Sequence, residues 1–214
     1  MATQRTCVTS AALLAALALL FALPAAPASA QNIIDRWASV KTPPAPELKS
    51  VTVDPKTTAL LMLDFMNQNC GQRPACLATI PAMKKLLGEA RDTKATVVYS
   101  IIANSTTADV IKDVAPVGDE SWVQAGPDKF LNTPLAAILK DKRIQTVIAT
   151  GTASNGAVLF TAAGAAFRGM NVILPVDGIS AADDYADLTT AYTFATGPLI
   201  SSKSTLTKID MIKF

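Results

Sequence analysis

From residue 57 onward the chain alternates between solid apolar runs and segments whose apolar residues recur every three or four positions. Residues 57–65, TTALLMLDF, are almost wholly apolar and end on one acid, Asp64. Residues 96–102, 145–150 and 171–176 repeat the pattern with many β-branched side chains. Such runs are buried parallel strands, apolar on both faces. Between them, Met83, Leu86, Leu87 and Ala90 mark one face of a helix over residues 80–91, with Pro81 early in it. A second helix opens at Thr133 as N-cap, with Pro134 in the first helical position, and runs to Lys140. The Ala-rich stretch 157–167 is a third, stopped by Gly169. Residues 182–195 form a fourth, with Asp183 and Asp184 at its positive end.

Residues 144–178 therefore read strand, turn, helix, strand, a βαβ unit. The pattern predicts an α/β fold: a three-layer, doubly wound, Rossmann-like sheet, mostly parallel, of about six strands with helices on both faces. A last short strand is expected at 199–202, followed by an extended tail over 204–214. Residues 103–130, with Trp122, Gly118, Gly126, Pro116 and Pro127, are the least regular part, with a short helix expected near 108–114. A long irregular segment in a compact domain is often a functional loop.

The first thirty residues stand outside that pattern. Arg5, the apolar stretch 11–26 and Ala28-Ser29-Ala30 have the layout of a cleaved secretory leader. The expected organisation is a leader over 1–30, a Pro-rich extended lead-in over 31–55 and one domain over 56–214. The protein is then exported, to the periplasm or beyond the cell. No later stretch reaches the about eighteen unbroken apolar residues of a membrane span, so no membrane association is expected after cleavage.

The formal net charge is +2, one unit of it Arg5 in the leader, which argues against a nucleic-acid partner. The chain has no His. That excludes Ser-His-Asp and Cys-His catalysis and His-ligated metal sites, so no metal and no cofactor are expected. Cys70 and Cys76 lie in NCGQRPAC, a loop-like segment. In an oxidising compartment they form a disulfide. The alternative is two free thiols, with Arg73 the only nearby cation to activate one.

In an open doubly wound sheet, ligands bind outside the carboxyl ends of the strands where strand order reverses. If the strand ending at Asp64 neighbours the strand ending at Gly151, Asp64, Lys129 and the turn Ser154-Asn155-Gly156 converge there. The turn offers backbone N–H groups at a helix start, suited to an anion or oxyanion. Each residue has a plainer reading. Asp64 can be a turn residue, Lys129 a solvated loop lysine, Asn155 an N-cap, and Trp122 a loop anchor rather than a substrate wall.

TTALLMLDFMN, GPDKFLNTPL and VIATGTASNGAVLFTAAGAAFRGMNVILPVDG together resemble the isochorismatase-like, or cysteine-hydrolase, superfamily, over residues 57–198. The resemblance implies an Asp at the end of the first strand, a Lys before the fourth and a nucleophilic Cys at the start of the next helix. It also implies a cis peptide just before that Cys, aiming N–H groups at an oxyanion. Asp64 matches the Asp and Lys129 the Lys, but Ala157 stands at the Cys position. A Gln often found two residues after the Asp is Met66, the metal-binding His residues of the nicotinamidase branch have no counterpart, and the segment after Lys129 is shorter than in most members. The pattern resembles isochorismatase proper, which keeps Asp and Lys without Cys.

This implies a metal-independent hydrolase of a small carboxylated molecule. Asp64 would be the general acid and Lys129 would hold the substrate's carboxylates. Asn155, Gly156 and Ala157 would line an oxyanion or substrate site, with Phe65 and Trp122 beside them. The family also implies a homo-oligomer. Two other functions stay open: a binding member that lost the nucleophile, or a Cys-free lyase or isomerase.

Overall fold

The computed structural model of the chain describes residues 32–214. The leader expected over 1–30 lies outside the described residues. The described chain divides after Pro44. Residues 32–44 are an exposed piece with one 3₁₀ turn, Trp37–Ser39.

The unit from Ala45 to Phe214 carries, in chain order, β1 (Val51–Thr52), β2 (Thr58–Leu63), α1 (Pro74–Asp92), β3 (Thr96–Ile101), β4 (Ser121–Gln124), α2 (Leu135–Asp141) and β5 (Thr146–Thr152). A π-helical turn, Ser154–Val158, leads into α3 (Leu159–Phe167). Then come β6 (Asn171–Pro175), β7 (Ile179–Ser180), α4 (Asp184–Thr196), β8 (Ser204–Thr207) and β9 (Ile212–Lys213).

The main sheet has seven strands in the order β4-β3-β2-β5-β6-β8, with the short β7 also pairing β5. Its pairings are parallel. The apolar run of β2 is buried at every position because helices cover both faces. Along it, Leu60 and Met62 pack with α1 residues such as Met83 and Leu86, while Leu61 and Leu63 pack with Leu135, Leu139 and Ala162 of α2 and α3. The chain builds outward from β2 through β3 to β4, then returns to lay β5 on the other side of β2. The strand order reverses between β2 and β5, so the expected neighbours are paired.

Several boundaries differ from expectation. α1 begins at Pro74, six residues before the expected start, and Pro81 lies inside it. Pro74 is the proline that opens the helix, because its missing N–H falls where no intrahelical partner exists. The irregular stretch holds 3₁₀ turns at Thr107–Asp109 and Lys112–Val114 and an edge strand, β4, that contains Trp122. α2 begins at Leu135, with Pro134 as its N-cap residue and the Thr133 hydroxyl accepting the Leu135 N–H. Residues 199–202 are not a strand. Leu199 has φ 64° and Ser201–Lys203 is a 3₁₀ turn, so the strand falls five residues later, at β8. The tail is tied back, since β9 pairs in parallel with β1. The expected lead-in is thus divided: Lys49 and β1 belong to the domain, and the Lys49 N–H donates to Leu206 O.

Candidate active site

The ends of β2 and β5 are pressed together. Leu63 is the register partner of Gly151, and a Cβ on Gly151 would lie 2.0 Å from Leu63 O. Gly151 also has φ 135°, so only glycine fits. Asp64 and Thr152 are the residues that directly follow this pair, one in each segment, at the switch point.

Asp64 has φ 55°, a left-handed conformation that turns the chain as β2 ends. Its N–H donates to Ser100 Oγ at 3.2 Å, and the Ser100 hydroxyl donates to Asp64 Oδ1 at 2.7 Å. Lys129 Nζ donates to Asp64 Oδ2 at 2.7 Å and to Ala125 O at 3.1 Å. The two side chains are 1% exposed for Lys129 and 7% for Asp64. Lys129 is held from behind, because its N–H donates to Thr161 Oγ1, whose hydroxyl donates to Pro127 O. Both charges have left water, so the pair persists because each partner compensates the other. Lys129 is thus directed at Asp64, not outward to a ligand's carboxylate as expected.

The turn after β5 also departs from expectation. The cis peptide lies at Thr152–Ala153, not before Ala157. Gly156–Ala157 falls inside the π-helical turn, where the Gly156 and Val158 N–H groups both donate to Ala153 O, at 3.0 and 3.3 Å. The Gly156 N–H is therefore engaged within the turn and cannot face an oxyanion. Asn155 is exposed, and Ala157 is buried with its methyl at the start of the helix. Ser154 is fully buried, with its hydroxyl toward the Asp187 carboxyl.

Residues 58–204 match the Isochorismatase domain. The chain belongs to the isochorismatase family. It is 33% identical over 82 residues to an uncharacterised isochorismatase family protein, YaaI, of Bacillus subtilis, a match covering 38% of this chain and 45% of that protein. The match spans less than half the length of that curated relative. The fold of this chain is similar to that of a cysteine hydrolase from Pseudomonas syringae, with TM-score 0.66 and 19% identity over 77% of this chain and 94% of that one. It is also similar to that of N-carbamoylsarcosine amidase from Thermoplasma acidophilum, with TM-score 0.62 and 21% identity over 72% of this chain and 97% of that one.

Of the two other residues expected beside the site in this isochorismatase-family chain, one is in the core and one on the edge strand. Phe65 is 1% exposed and packs in the core on the α1 face. Trp122 is 50% exposed on the edge strand β4, two strands from β2, beside a surface hollow of about 450 Å³. Among the described residues no group of three His, Cys, Asp or Glu could hold a metal ion.

Two residues at the site were not singled out from sequence. Ser100, at the register position opposite Leu63 on β3, orients Asp64. Arg73, considered only as a neighbour of the cysteines, reaches the end of β5, where its Nη1 donates to Thr152 Oγ1 at 3.0 Å. The Cys70–Cys76 disulfide is formed, with Arg73 midway between its two half-cystines. A cation nine residues after a strand-ending acid was the available signal, but only the β2–β5 pairing gives it meaning.

Proposed function

We propose that this chain is a metal- and cofactor-independent hydrolase of a small carboxylated molecule, working by proton transfer at Asp64 without a cysteine nucleophile. The observation that carries the reading is the buried Asp64–Lys129 pair at the reversal of strand order, beside a helix start that offers only the methyl of Ala157. Chemistry suited to such a site needs an acid and water. For a vinyl ether, Asp64, ionised in the resting pair, first takes up a proton from water and then gives it to the terminal carbon, where the double-bond electrons form the new C–H bond. Water then adds to the oxocarbenium carbon and loses a proton. The hemiketal splits into a ketone and an alcohol, and Asp64 regains a proton. Lys129 stabilises the carboxylate formed when Asp64 gives up its proton, and Ser100 fixes its orientation.

The same reading includes export past the inner membrane, since the leader and a disulfide suit an oxidising compartment. It includes a small-molecule substrate and a homo-oligomer, with no nucleic-acid or membrane partner. Ala157 also favours a second reading, a family member that binds its ligand without turning it over.

Paired measurements on wild type and Asp64→Asn separate the two. With carboxylated vinyl ethers, esters and amides as candidate substrates, turnover should fall about 10²–10⁴-fold in the variant, the usual contribution of a positioned acid, while affinity persists. Undiminished turnover in the variant sinks the acid role. Ligand binding by both proteins with turnover by neither favours the binding reading.

A further inference from the structure

We propose that Arg73 is the residue that holds a ligand's carboxylate at this site. The proposal rests on reading the Asp64–Lys129 pair as the functional centre and names the group that recognises the charge. Lys129 is poorly suited to that task, being 1% exposed with its ammonium engaged by Asp64 Oδ2 and Ala125 O. Arg73 is partly buried and takes part in none of the four ion pairs found among the described residues. A partly buried guanidinium without a carboxylate lacks the partner it binds best.

Its placement is fixed. Nε donates to Asn69 O and Nη1 to Thr152 Oγ1, each at 3.0 Å, and the Thr152 hydroxyl donates onward to Ser180 O. Thr152 directly follows Gly151, whose register partner Leu63 directly precedes Asp64. Two of the guanidinium's N–H groups are thus used, and among the described residues none accepts from Nη2, which is left for a carboxylate.

The loop beneath is braced independently. Asn69 Oδ1 accepts the Met66 and Cys70 N–H groups, Met66 O accepts those of Cys70 and Gly71, and the Cys70–Cys76 disulfide closes around Arg73. α1 begins at the next residue and has no acid in its first turn, so its positive end reinforces Arg73 without neutralising it. A cation held this firmly loses little freedom when it binds. The ligand class is a small molecule with one carboxylate on Arg73 and its reactive carbon toward Asp64.

Calorimetric titration of the disulfide-intact protein with benzoate and succinate, each beside its amide, tests this. Wild type should prefer the acids. Arg73→Ala should weaken the acids about 10- to 100-fold, as expected for a lost charge-assisted bond, and leave the amides unchanged. Arg73→Lys should recover part of the loss, which a merely misfolded loop would not allow. Unaltered acid affinity in Arg73→Ala, equal losses for acid and amide, or no acid binding by wild type would each overturn the proposal. Full turnover in Asp64→Asn with acid affinity still lost in Arg73→Ala would overturn the catalytic reading and leave this one standing. The reverse pattern would overturn this one alone.

Discussion

Replacing Lys129 by Met should strand a charge in the protein interior, and the cost can be bounded from the geometry. At 2.7 Å the Asp64–Lys129 attraction is about 6 kcal/mol for an effective dielectric of about 20. Taking each ion out of water costs several kcal/mol, so the intact pair contributes little net stability. The single variant loses the attraction and keeps the carboxylate's desolvation, with only Ser100 left to donate to it. The expected loss is about 3–5 kcal/mol. Asp64→Asn is the matching change, because asparagine tolerates the φ of 55° at this position. The double variant buries neither charge, so it should cost less than the two single losses combined, with a coupling of about 2–3 kcal/mol. Urea denaturation checks this through the midpoint at unchanged slope, and thermal midpoints of the single variants should drop by about 10 °C. A Lys129→Met protein with a wild-type midpoint, or two losses that simply add, would refute the argument that the pair is buried and interdependent.

Two further outcomes follow from other contacts. The Cys70–Cys76 bond closes a short loop, so a Cys70→Ser/Cys76→Ser variant should lose about 2 kcal/mol; two alkylatable thiols in the native, unreduced protein would contradict the pairing. Asp187 of α4 should make the fold less stable as pH rises: burial first, with Asp184 and Asp183 adding, holds its carboxyl above the ordinary value against the opposing Ser154 hydroxyl and Ala181 N–H. The folded chain then keeps a proton that the unfolded chain has released, so stability declines from about pH 3.8 up through the raised value. Asp187→Asn should flatten that decline in denaturation curves, and identical pH slopes for the two proteins would count against it.

What could be read in the chain follows from how local each signal is. β2 and β5 announce themselves because strands buried on both faces need unbroken apolar runs, and their ends name Asp64 and Gly151. Lys129 was legible from its place before α2, yet its charge partner was not, because that depends on a contact across 65 positions. The start of α1 was hidden by polar composition: residues 70–76 look like a loop, and Pro81, inside the helix, mimics a helix start. β4 was missed because an edge strand of four residues with Trp122 exposed carries too little pattern. The turn after β5 was recognised but its interior was not, since the π-helical turn and its bonds to Ala153 O arise from how β5 meets α3. Arg73 illustrates the same limit, because its placement depends on Thr152, 79 positions away.

The charge balance at the switch point narrows what can bind there. Asp64 and Lys129 cancel, so the pair presents no net charge to a ligand. Arg73 is not cancelled, and the start of α1 adds positive potential beside it. A neutral ligand would leave that cation uncompensated while displacing the water that solvates it. A ligand with one carboxylate restores neutrality and leaves Asp64 free to act on the rest of the molecule. Because Arg73 is partly buried, salt should screen this attraction less than it would an exposed pair. In the proposed reading the two charged elements divide the work that a single lysine was expected to do: Lys129 serves the reacting carboxyl, and Arg73 serves recognition.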